Sequence, residues 1–166
     1  MIAVVSDTSP LSLLVRLDLL EILPRLFVSV SIKPEVAQEM GLPKAPTGAR
    51  GLASHRPAWI HIEQPGAVSP IPGLDPGELA AIALALKLSV PLLIDERAGR
   101  EAATALGIAV LGVIGVREEA ASRGLVSDLA QVHAQIRGMR FHVSEQILSA
   151  SLTRHLSRVQ PGEGAP

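Results

Sequence analysis

Four acidic residues are the side chains in this sequence best placed to do chemistry: Asp7, Glu39, Glu78 and Asp95. Asp7 and Asp95 each end a short apolar run (residues 1–6 and 91–94), Glu39 lies in a helical pattern after a third such run (28–32), and Glu78 opens a strong helix. Carboxylates gathered at one place repel one another and call for a cation. Hard oxygen donors suit Mg2+ or Mn2+, which keep some of their waters and bridge to phosphate. Zinc fits poorly, because there is no cysteine and His55, His61, His133, His142 and His155 show no ligand spacing. A hard cation on such a cluster polarises a phosphodiester, acidifies a bound water and steadies the entering and leaving oxygens. The reaction class indicated is phosphodiester hydrolysis.

Each candidate also has a purely structural explanation. Asp7 and Asp95 can cap the helices that follow them, and Glu78 stands three residues after Asp75 in the spacing of a capping box. Glu39 follows Glu35 at i, i+4, where two like charges on one helical face repel unless solvent or a cation separates them. Ser9 can hydrogen-bond Asp7 or a water on the ion, or else cap a helix, and Glu96 adds an acid directly beside Asp95. Arg97 and Arg100 fall in the first turns after Asp95, where a helix N-terminus and guanidinium groups can meet phosphate; a solvated surface pair is the alternative. A covalent phosphatase using Asp7 as nucleophile would follow the haloacid dehalogenase-like pattern, but that pattern needs a second Asp two residues on, where Ser9 stands.

The elements that must position these residues alternate between strand and helix. Apolar β-branched runs at 1–6, 28–32, 59–63, 91–94 and 108–111 read as five strands. Pro10 suits the first turn of a helix whose face is Leu13, Leu14, Leu17 and Leu20, with Pro24 expected to end it. Pro34 starts the next helix, residues 41–57 read as a loop with room for one short helix, and Asp75 caps a helix over 79–88. A further helix over 96–106 should stop at Gly107, and the chain reads as helical from there to about residue 158, with a break at 138–143. Such alternation predicts right-handed crossovers and a three-layer α/β/α fold around a mostly parallel, about five-stranded sheet. Ligands of these sheets bind beyond the carboxyl ends of the strands, where the strand order reverses, and that is where Asp7 and Asp95 would meet.

Composition narrows the class. The 166 residues are 48% hydrophobic with only Trp59, Phe27 and Phe141 as aromatics, so the core must be aliphatic, as parallel sheets prefer. One domain over 1–156 with a flexible tail at 157–166 is expected. The absence of cysteine removes disulfides and thiol chemistry, and no stretch suggests a signal peptide or a membrane span, so a soluble cytoplasmic protein is expected. The net charge of −1 excludes a globally basic nucleic-acid binder; any RNA contact must be local.

The segments VVSDTSPLSLLVRLDLLEIL, IKPEVAQEM, LDPGELAAIALAL and PLLIDERAGREAATALGIAVLG, in this order, resemble the PIN domain, in particular the branch similar to VapC-type toxins. The resemblance extends over most of residues 2–125. It implies a Mg2+- or Mn2+-dependent single-strand-specific endoribonuclease, often a homodimer, inhibited by a small antitoxin whose C-terminal segment enters the site; tRNA or another structured RNA is the expected substrate. By position it assigns the family's acids to Asp7, Glu39, Glu78 and Asp95, and its small hydroxyl residue to Ser9. Many members carry another acid a few residues beyond the position of Asp95, whereas here Glu96 is directly adjacent.

Overall fold

A computed structural model describes residues 2–126 together with Ala134; the expected helical stretch toward residue 158 and the tail at 157–166 lie outside the described residues. Two compact units divide the chain, residues 1–113 and 114–166.

In the first unit, five strands form one parallel sheet: β1 (Ile2–Ser6), β2 (Phe27–Ile32), β3 (Ile60–Ile62), β4 (Leu92–Leu93) and β5 (Val110–Leu111), in the order β3-β2-β1-β4-β5. Helices α1 (Thr8–Arg16), α2 (Leu23–Leu26), α3 (Pro34–Gly41), α4 (Thr47–Ser54), α5 (Pro76–Leu88) and α6 (Arg97–Ala105) connect them. The chain steps in one direction from β1 to β3 and in the other from β4 to β5. Right-handed crossovers therefore put α1, α3 and α4 on one face and α5 and α6 on the other. Packing agrees, since α1, α3 and α4 touch one another and α5 packs on α6. The reversal of direction lies between β1 and β4, whose register pairs Ser6 with Leu93.

The core is aliphatic throughout. Val5, Ile82, Leu84, Leu92 and Ile94 are fully buried between the β1–β4 part of the sheet and α5. Leu11, Leu14, Val30 and Val36 are likewise shut from water in the region of α1 and α3. The first charged residues after β1 to β4, namely Asp7, Lys33, Glu63 and Asp95, lie at or just beyond the carboxyl ends of those strands.

One expected boundary differs. The first helix ends at Arg16, well before Pro24, because Asp18 takes a left-handed φ of 56° that no helix can continue through. Pro24 instead sits in the first turn of α2, where its missing N–H costs nothing. At α5 the expected capping box is complete: the Asp75 carboxylate accepts from the Glu78 N–H at 2.8 Å, and the Glu78 carboxylate accepts from the Asp75 N–H at 2.9 Å.

The described part of the second unit is the helix α7 (Val113–Ser122), which starts at the last residue of the first unit, and the turn after it, where Gly124 has φ 69°. Val116, Arg117 and Ala120 of α7 are buried, and burial draws the Arg117 guanidinium down to about 10 against the pull of Glu118. Among the described residues no helix is long and apolar enough to cross a membrane.

Since the capping box both starts α5 and orients Glu78, Asp75→Ala is expected to cost about 1 kcal/mol in urea unfolding, the usual worth of an N-cap side chain. An unchanged midpoint would show that α5 is held by its packing alone.

Candidate active site

The strand order brings Asp7 and Asp95 to adjacent strand ends. Asp7 follows β1, and its N–H donates to the carbonyl of Leu93 at 3.1 Å, which extends the β1–β4 ladder by one residue. Asp95 follows Ile94, whose own N–H donates to Leu111 O on the other side. Both acids thus sit at the switch in strand order, beyond the carboxyl ends, where open α/β sheets bind ligands.

Neither caps the helix that follows it. Asp7 occupies the N-cap position of α1 without a side-chain cap bond. Its Oδ1 instead accepts from Lys33 Nζ at 2.9 Å, in an ion pair whose two side chains are 10% and 4% exposed. Lys33 also donates to the carbonyl of Gly77, in the first turn of α5. Asp95 is one residue too early to cap α6, whose N-cap is Glu96. Its Oδ1 accepts from the Val113 N–H at 2.9 Å, while its buried Oδ2 has no hydrogen-bond partner among the described residues. Burial pushes the Asp95 carboxyl up to about 6, opposed by the Val113 N–H, raised further by Glu96 and lowered again by Arg100.

The other candidates surround this pair. Glu78 is buried at the start of α5, one oxygen committed to the capping box. A side chain at Gly99 would meet its Oε1 at 3.1 Å and collide with Ile94 Cδ1, so α6 approaches Glu78 closely only because Gly99 has no Cβ. Gly112 does the same on the far side, where a Cβ would fall 3.0 Å from Asp95 Oδ1 and 2.8 Å from Arg100 Nη1. The first turn of α1 reaches both ways: Thr8 Oγ1 donates to exposed Glu39 at 2.8 Å, and Ser9 Oγ donates to exposed Glu96 at 2.8 Å. The two arginines part company. Arg100 turns inward, donating to Ile94 O at 3.2 Å, whereas Arg97 lies in solvent and pairs with Glu101 at 2.7 Å.

The sequence matches the family model for the PIN domain over residues 3–157. This chain is a PIN-domain protein. Members of that family are in general nucleases and in general use divalent metal ions. Among solved structures, the chain is similar to a PilT N-terminus domain protein from the hyperthermophilic archaeon Sulfolobus solfataricus P2. The two share 19% identity at a TM-score of 0.48, over 70% of this chain and 90% of that one. Among curated proteins there is no match.

A hard divalent ion fits this PIN domain in the kind of donor and in their place at the sheet edge. The unpartnered Oδ2 of Asp95 is the oxygen such an ion would take first. In number the donors fall short as they stand: among the described residues no three acidic or histidine side chains are arranged to hold a metal. Lys33 already pairs with Asp7, and Glu39 is exposed with one oxygen taken by Thr8. Lys33 is also the one site residue that counting acids leaves out. The signal was present, since it is the first polar residue after β2 and so occupies the same strand-end position as Asp7.

The raised carboxyl of Asp95 gives stability a pH dependence of known sign. The folded state holds this proton up to about pH 6, the unfolded chain only to about 3.9, so in that window folding takes up a proton. Stability from this group is therefore greatest below about pH 4, is lost progressively as pH rises to about 6, and is flat above. With EDTA present, urea unfolding should show wild type losing about 3 kcal/mol relative to Asp95→Asn across that window, from a shift of about two pH units. Parallel pH curves for the two proteins would contradict it.

Proposed function

We propose that this PIN domain is a ribonuclease that hydrolyses RNA phosphodiester bonds at the β1–β4 edge and requires Mg2+ or Mn2+. The observation that carries the reading is the buried, unpartnered carboxylate oxygen of Asp95 beside Asp7 at the switch in strand order. When bound, the ion supplies charge neutralisation at phosphate and a more acidic water. Asp95 and Asp7 would hold it, with Glu78 next in reach along α5. Burial raises the Asp95 carboxyl to about 6 in the ion-free protein, and a bound cation would offset that cost by compensating the buried charge. Arg100 supplies positive charge that a phosphodiester needs against the surrounding acids, and the first turns of α1 and α6 face the same edge. With three aromatic residues in the whole chain, RNA would be selected by shape and phosphate contacts rather than base stacking.

The segments similar to VapC-type toxins support a narrower form of this reading, in which the protein is the toxin of a toxin–antitoxin pair. It would then act as a homodimer in the cytoplasm, with a small antitoxin covering the acidic edge. One observation favours a second reading, that of a PIN fold which binds RNA or protein and cuts weakly or not at all: the Asp7–Lys33 pair neutralises the first acid internally.

Incubation of the purified chain with tRNA separates the two. The ribonuclease reading expects cuts in Mn2+ or Mg2+ that disappear in EDTA and fall by about a hundredfold or more in Asp7→Asn and in Asp95→Asn. Cutting that persists in both variants would overturn the assignment, and RNA binding without any cutting would establish the second reading.

A further inference from the structure

We propose that Lys33 is the resident cation of the Asp7 subsite: its ammonium stands where a divalent ion would have to engage Asp7, so that ion is admitted only when Lys33 withdraws. This rests on the reading that Asp7 belongs to an ion site.

The local sequence builds the arrangement. Pro34 restricts the residue before it to extended backbone, and Lys33 has φ −73° and ψ 157°. Its side chain therefore leaves from the carboxyl end of β2, next to β1, and runs along the edge of the sheet instead of out with α3. The ammonium then joins two groups that a metal ion would also join, the carboxylate of Asp7 at 2.9 Å and the carbonyl of Gly77 one residue before Glu78. At 4% exposure it is not a surface lysine that happens to lean on an acid. A buried ammonium needs compensation that Asp7 supplies, and a buried Asp7 needs a cation that Lys33 supplies. A divalent ion has to replace that whole exchange and leave Lys33 somewhere hydrated. The pair therefore weakens ion binding at Asp7, while the open Oδ2 of Asp95 stays ready for it.

Mn2+ alone is the probe, and the midpoint of the Mn2+-dependent rise in melting temperature is the readout, measured on the full chain. Lys33→Met and Lys33→Gln should melt lower than wild type in EDTA. Their Mn2+ midpoint should lie about tenfold or more below that of wild type, the size expected when a cation within about 4 Å of the carboxylate is removed. Adding Asp7→Asn should abolish the gain. A midpoint shared by wild type and both lysine variants would overturn the proposal and leave the ribonuclease reading standing. No Mn2+ response in any of them would overturn both.

If neither lysine variant folds, reductive methylation of wild type decides. Apart from Lys33 the sequence contains only Lys44 and Lys87, both exposed. Lys33 should be protected in EDTA and become labelled in saturating Mn2+, with the other two unchanged. Protection of Lys33 that persists at Mn2+ concentrations raising the melting temperature would overturn the proposal.

Discussion

The pair between Asp7 and Lys33 is the interaction on which the functional end of the sheet depends. It ties together the end of β1, the end of β2 and, through Gly77, the start of α5. Two buried charges of opposite sign are costly to bring out of water, and their attraction repays that cost only with good geometry. Removing either partner leaves the other charge buried and uncompensated, which costs far more than the net worth of the pair. The consequence is asymmetric. The pair adds modestly to stability, yet it constrains strongly which side chains can occupy neighbouring positions and which ions can enter.

Around this pair each acid is already engaged through one oxygen. Glu78 serves the capping box, Glu39 accepts from Thr8, Glu96 accepts from Ser9, and Asp95 gives one oxygen to the Val113 N–H. Among the described residues the second oxygen of Asp95 is the one buried carboxylate oxygen without a hydrogen-bond partner, and burial also raises the affinity of that carboxyl for its proton. Folded proteins seldom leave a buried carboxylate oxygen unpartnered unless a function uses it. The site therefore holds its energetic cost at Asp95 and its compensation at Asp7, one residue apart in the register of adjacent strands. Gly99 and Gly112 allow that concentration, since a methyl group at either would push into Glu78 or Asp95.

Much of this was legible in the sequence, for a physical reason. A parallel strand buried on both faces is a mainly apolar run, so a charged residue that ends it is placed at the sheet edge. Asp7 and Asp95 follow directly from that rule, as does the capping box from the spacing of Asp75 and Glu78. The same rule reaches Lys33, the charged residue that ends β2. What a pattern cannot carry is the direction of a long side chain on a helix. Glu39 turns outward to Thr8 and Arg97 outward to Glu101, while Arg100, three residues on, turns inward. The early end of α1 was hidden for a similar reason, because a left-handed Asp18 is a single-residue event that hydrophobic periodicity averages away.

Asp7 and Lys33 are energetically one unit, and a double-mutant cycle on urea unfolding in EDTA tests this most directly. Asp7→Asn and Lys33→Met should each destabilise by about 3 kcal/mol, because each strands a buried charge. The double variant should lose about 2 kcal/mol less than the sum of the two, as for buried charges in contact. Losses that simply add would contradict the account, and Asp7 and Lys33 would then be neighbours without being partners.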